Sequence, residues 1–307
     1  MIVLEQVTKT YGNLKAVHSL DLHIKQGEIF GFIGPNGAGK TTTIKMLATL
    51  LRPTSGRIRI AGIDPEEEPE AVRRIIGYMP DHFGVYPDLA VWEYLDFFGA
   101  AYQIPASKRP GLIDDVLELT DLTVKKYDLV EALSRGMKQR LCLAKTLLHD
   151  PAVLLLDEPA SGLDPRARVE IRELLKELKK MKKTILISSH ILPELSDFCT
   201  SIGIIERGEL VVAGSIADIE ARITQSRVYR VSTLDSIDAV ESFLNTLGID
   251  QIQRNGHFLE FTCNKTDEDI AAILQALVQQ SFRVTAFMPV TANLEDLFMK
   301  ITKGEVA

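Results

Sequence analysis

The stretch that most constrains this chain is Gly34-Pro35-Asn36-Gly37-Ala38-Gly39-Lys40-Thr41, directly after the apolar run Glu28 to Ile33 and opening a helical pattern at Lys40 to Leu50. It matches G-x-x-x-x-G-K-[ST] in the strand-turn-helix context that the pattern requires. Glycines there let backbone N–H groups close around phosphate oxygens, and the helix N-terminus adds positive potential. Lys40 is placed to reach β and γ oxygens, and the Thr41 hydroxyl to ligate magnesium, with Thr42 next along the helix. The implied ligand is a nucleoside triphosphate with Mg2+.

Apolar runs at Ile2 to Val7, Glu28 to Ile33, Ile75 to Met79, Val153 to Leu156, Thr184 to Ser188 and Ile202 to Ile205 read as strands alternating with helical patterns. Several are apolar without alternation, as in strands buried on both faces of a largely parallel sheet. The reading is an α/β core. Residues 87 to 150 are mostly helical by pattern, with loops at Gln103 to Gly111 and Leu133 to Gly136, and form an inserted helical lobe. Val153 to Leu156 delivers Asp157-Glu158 at its C-terminal end, where open α/β sheets bind ligands. Asp157 is suited to orient magnesium and Glu158 to polarise an attacking water.

Beyond Gly214 the pattern changes. Ser215 to Ile223 reads as a linking helix and Val228 to Ser232 as a strand. Ser236 caps a helix with Val240, Phe243, Leu244 and Leu247 on one face, ended by Gly248. Asn255-Gly256 is the turn of a hairpin between Ile249 to Arg254 and His257 to Cys263. Thr266 caps a helix carrying Ile270, Ile273, Leu274 and Leu277, Phe282 to Met288 is a last strand, and Asn293 to Ile301 a last helix. The order βαββαβ is ferredoxin-like. Two domains follow, residues 1 to 220 and 221 to 307.

Composition excludes several classes. With 46% apolar and 25% charged residues the chain is neither disordered nor collagenous. A net charge of −7 supplies no field for a nucleic-acid backbone. Cys142, Cys199 and Cys263 are far apart and in no C-x-x-C pair, so neither a disulfide framework nor a zinc site is suggested. No apolar run reaches the 18 or so residues of a spanning helix. Glu66 to Glu70 reads as a solvated acidic loop before a helix.

Leu133-Ser134-Arg135-Gly136-Met137, with Lys138-Gln139-Arg140 after it, resembles the LSGGQ signature of ATP-binding cassette (ABC) ATPases, and Ser134 lies 23 residues before Asp157, as that family places it. Tyr11 resembles the aromatic that stacks on adenine. Ser161-Gly162-Leu163-Asp164 resembles the D-loop, and His190 after Ser188-Ser189 the switch histidine. The resemblance spans residues 1 to about 220. There are two departures. Arg135 and Met137 stand where Gly and Gln are common, although Ser134 and Gly136 are kept. Asp81, after Gly77-Tyr78-Met79-Pro80, stands where the family usually has a Gln that touches magnesium and the attacking water. Asp81 can offer the metal an oxygen, yet it adds negative charge near phosphates.

The resemblance implies a P-loop NTPase cassette that hydrolyses ATP with Mg2+ and powers an exporter through ATP-driven, head-to-tail dimerisation. In it, residues 34 to 42, Asp157, Glu158 and His190 of one chain face Ser134 and Gly136 of the other. The implied partners are a second cassette, identical or not, and a separate integral-membrane subunit that holds the chain at the cytoplasmic face; no nucleic acid is implied. The aromatics Phe83, Tyr86, Trp92, Tyr94, Phe97, Phe98 and Tyr102 suit either core packing or docking of that subunit. The alternatives are an ATP-gated clamp on ribosomes or DNA, and a regulatory module that binds ATP without turnover. One cassette without sustained heptads argues against the first, and intact Glu158 and His190 against the second.

Overall fold

The computed structural model describes residues 1–191, 195, 198–219, 228–249, 251–263 and 266–290. The helix expected at Asn293 to Ile301 lies outside them, as does the linking helix beyond its first turn at 216–219. Among the described residues, chain contacts separate a unit that ends at Ile216 from one that begins at Ala217.

In the first unit the six-stranded sheet runs β5-β6-β7-β3-β8-β9, where β3 is Ile29–Ile33, β5 Ile76–Met79, β6 Val153–Leu156, β7 Thr184–Ser189, β8 Ser201–Glu206 and β9 Glu209–Ser215. All pairs are parallel except β8 with β9. β3, β6 and β7 are buried throughout, which explains their uninterrupted apolar sequence. Ile2 to Val7 is a strand as expected, but not a strand of this sheet. β1 (Ile2–Tyr11) belongs to a separate antiparallel sheet, ordered β2-β1-β4, with β2 at Leu14–Ile24 and β4 at Ser55–Ile60. Its inward side chains, among them Ile2, Leu20, Ile24 and Ile60, share one core with Phe32, Leu155 and Leu186 of the larger sheet and with Ile44 and Leu47 of α1 (Lys40–Leu47). Each such side chain contributes roughly 1.5–3 kcal/mol by leaving water.

α2 (Pro69–Ile75) precedes β5, and α3 (Val91–Ala101), α4 (Arg109–Leu119) and α5 (Arg135–Leu147) supply the helices inserted between β5 and β6. α6 (Pro165–Lys180) follows β6. Two loop boundaries differ from expectation. Pro110 sits in the first turn of α4, where its missing N–H costs nothing, so Gly111 is helical. Ser134 N-caps α5 by accepting from the Met137 N–H, so Arg135 and Gly136 are helical as well.

The second unit orders β10 (Val228–Thr233), α7 (Ile237–Thr246), β11 (Ile252–Asn255), β12 (Phe258–Thr262), α8 (Asp267–Gln279) and β13 (Val284–Val290) into an antiparallel sheet β11-β12-β10-β13, the ferredoxin-like arrangement. Tyr229, Val231, Leu259 and Phe261 pack beneath Val240, Leu244, Ile273 and Leu277. Thr266 and Asp269 form a capping box, whereas Ser236 holds the N-cap position of α7 without a side-chain bond. Asn255 pairs with Phe258, so the hairpin turns on Gly256-His257, one residue later than expected, with Gly256 at φ 58.

Candidate functional site

The site is assembled at the C-terminal ends of three adjacent strands, β3, β7 and β6, where parallel sheets open toward ligands. Gly34 leaves β3 so close to β8 that a Cβ would lie 2.2 Å from the Ile205 carbonyl oxygen. Gly39 caps α1 at φ 105, a left-handed conformation costly for any side chain. Between them Asn36 and Gly37 are exposed, Pro35 is half-buried and Ala38 is buried. Lys40 folds back over the loop, donating from Nζ to the carbonyls of Gly34 (2.7 Å) and Pro35 (3.2 Å). Its ammonium also lies 3.3 Å from Glu158 Oε1. Thr42 is half-buried in the same helix.

Asp157 is only 1% exposed. Ser188 Oγ donates to its Oδ1 at 2.7 Å, and the Thr41 hydroxyl also bonds its carboxylate. Oδ2 has no partner among the described residues. Burial raises the Asp157 pKa; the bonds from Ser188 and Thr41 oppose the rise, and the charges of Glu158 and Asp81 add to it. A buried carboxylate oxygen without a protein partner beside a threonine hydroxyl is a donor set that suits a hard cation such as Mg2+. Glu158 has φ 49, and its N–H donates to Ser188 Oγ at 2.9 Å. His190 Nδ1 lies 2.8 Å from Glu158 Oε2, so the carboxylate is held between a cation and an imidazole.

Asp81 follows β5 and contacts His82, with Oδ2 2.9 Å from Nδ1. Its charge reaches this cluster: burial, then Asp157, then Asp81 push the Tyr78 phenol up to about 12. Tyr11, 45% exposed, ends β1 with Lys9 Nζ 5.3 Å from its ring centroid. Ser134 and Gly136 stand in the first turn of α5, against the segment after Glu158: a Cβ on Gly136 would meet Ala167 Cβ at 3.2 Å. Asp164 N-caps α6, accepting from the N–H groups of Arg166 and Ala167 at 3.0 Å. The chain thus brings Lys40, Thr41, Asp157, Glu158 and His190 together, while Gly136 lies where a Cβ would meet Leu163 and Ala167. Sequence reasoning assigned no role to Ser188, which bridges Asp157 and the Glu158 backbone, or to Gln139, whose amide donates to the Pro159 carbonyl. The signal for Ser188 was a hydroxyl pair ending an otherwise apolar strand next to the one that carries the acids.

Residues 17–161 match the ABC transporter family model, and residues 214–302 that of the ATP-binding protein DrrA1-3-like C-terminal domain. The Nod factor export ATP-binding protein I of Paraburkholderia xenovorans is 34% identical over 99% of this chain and 98% of that protein. The linearmycin resistance ATP-binding protein LnrL of Bacillus subtilis is 30% identical over 98% of each. Among solved structures, the ATP-binding cassette MJ0796 in a dimeric post-hydrolysis state with ADP and Pi is similar at TM-score 0.64 and 28% identity, over 70% of this chain and 99% of that one. The chain belongs to the ATP-binding proteins of ABC transporters, and it is an ATPase. No helix among the described residues is long and apolar enough to cross a membrane.

Proposed function

We propose that the chain powers an exporter from the cytoplasmic face of the membrane, as one of two cassettes joined head to tail and docked on a separate integral-membrane subunit. Export and resistance relatives that match along nearly their whole length support this direction. Residues 1–220 form the nucleotide-binding domain, with the helical lobe at about 87–150, and residues 221–307 an accessory domain. Tyr86, Trp92 and Phe97, exposed on and before α3, form the face for the membrane subunit.

The observation that carries the reading is the position of Glu158 between Lys40 and His190. A γ-phosphate held by residues 34–42 competes with Glu158 for the Lys40 ammonium. Glu158 is then free to accept a proton from the attacking water, and His190 orients it for that transfer. Thr41 and Asp157 would hold Mg2+, with Asp81, whose charge reaches Asp157, contributing an oxygen; the ion, when bound, neutralises charge on the phosphates. Tyr11 offers its ring to the base. Ser134 and Gly136 serve the nucleotide of the opposite chain, with Asp164 positioning the loop that crosses between them.

Purifying the tagged full-length chain from detergent-solubilised membranes tests this. The expected companion is a polytopic membrane protein in fixed stoichiometry, whose presence stimulates ATP hydrolysis. Ribosomal proteins or DNA in its place would overturn the reading.

A further inference from the structure

Arg135 occupies a position in the first turn of α5 where the common signature has no side chain. It reaches away from Ser134. Its guanidinium lies on the backbone of Gly162, close enough that a Cβ there would be 2.2 Å from Nη2, and Nη2 donates to the Ser161 carbonyl at 3.4 Å. Gly162, at φ 67, leaves room for this contact because it has no side chain. One turn further along the same face, Gln139 donates to the Pro159 carbonyl. Two residues of one helix face therefore hold two carbonyls of the four-residue stretch that begins at Glu158.

That stretch needs holding. Glu158 is a non-glycine residue at φ 49, a backbone conformation that persists only where its surroundings over-determine it. Upstream, Ser188 accepts the Glu158 N–H at 2.9 Å. Downstream, Glu158 accepts from the Ser161 N–H at 3.0 Å, which closes a turn over the segment that Arg135 and Gln139 anchor. Gln139 is buried and Arg135 is exposed. Arg135 is thus the adjustable half of the anchor, at the edge where another chain would approach.

We propose that Arg135 is a positioning residue for Glu158 of its own chain: it ties the start of the signature helix to the turn after Glu158, so that the side chain of Glu158 stays aimed at the attacking water. This rests on the assignment of Ser134 to the opposite chain's nucleotide. On that assignment, α5 connects the two sites, since its first turn meets one nucleotide while Arg135 and Gln139 steady the base that acts on the other. Losing the contact lowers kcat roughly 3- to 10-fold, the net worth of one hydrogen bond. KM for ATP stays unchanged.

The test uses full-length heterodimers with two different tags, in which only one composite site works. One chain carries Ser134→Glu, which sets a carboxylate opposite the γ-phosphate, and supplies the working Glu158. The other carries Lys40→Ala and supplies the working signature. Arg135→Ala is then added to either chain. The expected result is a lower kcat when it is in the Ser134→Glu chain and an unchanged kcat when it is in the Lys40→Ala chain. Loss only in the Lys40→Ala chain would mean that Arg135 acts on the nucleotide across the interface, and would overturn the proposal, as would no loss in either. A starting pair without activity overturns the head-to-tail reading itself, and the proposal with it.

Discussion

Lys40 Nζ stands 3.3 Å from Glu158 Oε1, and the two side chains are 6% and 11% exposed. The cation we propose for phosphate binding and the carboxylate we propose as base therefore neutralise each other across the site. Removing either one strands a buried charge, so the two must be tested as a pair.

Lys40→Ala is expected to weaken ATP binding about 10- to 100-fold, the worth of a charge-assisted hydrogen bond. It also leaves Glu158 Oε1 without its cation, at roughly 1–3 kcal/mol of stability. Adding Glu158→Gln should restore part of that stability and none of the affinity. Denaturant unfolding and nucleotide titration separate the two effects, and an unchanged dissociation constant for ATP would contradict the role of Lys40.

Glu158→Gln alone should keep ATP binding and lower turnover about 10²- to 10⁴-fold, the range for a positioned general base. Trapped ATP should then hold two chains together through size exclusion with Mg-ATP. Normal hydrolysis by the variant would remove Glu158 from the mechanism.

Ser134→Glu should abolish hydrolysis while the single chain binds ATP as before, because the Ser134 hydroxyl serves the Met137 N–H of α5 and not residues 34–42. Mixing it with Lys40→Ala should restore activity from one intact composite site. Absence of recovery at every mixing ratio would count against a signature acting across the interface.

His149 predicts a pH dependence. Its Nε2 lies 2.8 Å from the Ile76 carbonyl, which can only accept, so the proton is on Nε2. The ring stacks on Tyr102 with centroids 3.9 Å apart, and Nδ1 has no partner among the described residues. Burial holds the His149 pKa below the ordinary imidazole value. The unfolded chain takes up its proton near pH 6.5 and the folded chain only below that, so stability falls as pH drops through this window. His149→Gln, which keeps a donor for Ile76, should flatten that part of the unfolding curve. The same slope in the variant would exclude His149 as its source.

A chain ending at residue 223 should fold and bind ATP with unchanged affinity, since residues 34–42, 157, 158 and 190 all belong to the unit that ends at Ile216. A soluble, monodisperse product that binds no nucleotide would show that the C-terminal domain completes the site.

The parts of the site that were legible in the sequence are those whose chemistry dictates spacing. The loop Gly34 to Thr41, the acids after Leu156 and the histidine after Ser189 each sit one step past a buried strand, and the structure places them there. What escaped notice depended on partners distant in sequence. β2 and β4 carry Leu20, Leu22, Ile24 and Ile58, Ile60 at alternate positions, a signal masked by polar residues between them. That β1 pairs with β2 and β4 was not legible, because an apolar run says nothing about which sheet it joins. The hairpin turn moved by one residue because cross-strand register, with Leu259 and Phe261 inward, outweighed the local preference of Asn255-Gly256.

Ser188 has one hydroxyl hydrogen, and the geometry commits it. Its oxygen receives the Glu158 N–H, so the hydrogen is directed at Asp157 Oδ1. Oδ1 is thereby occupied, and Oδ2 is the oxygen left to take up either a proton or, in the role we propose for Asp157, a divalent cation. The two compete there, and burial raises the Asp157 pKa against the bonds from Ser188 and Thr41. Acidification should therefore act on this ATPase as an inhibitor competitive with Mg2+, relieved by raising the metal concentration and not by raising ATP.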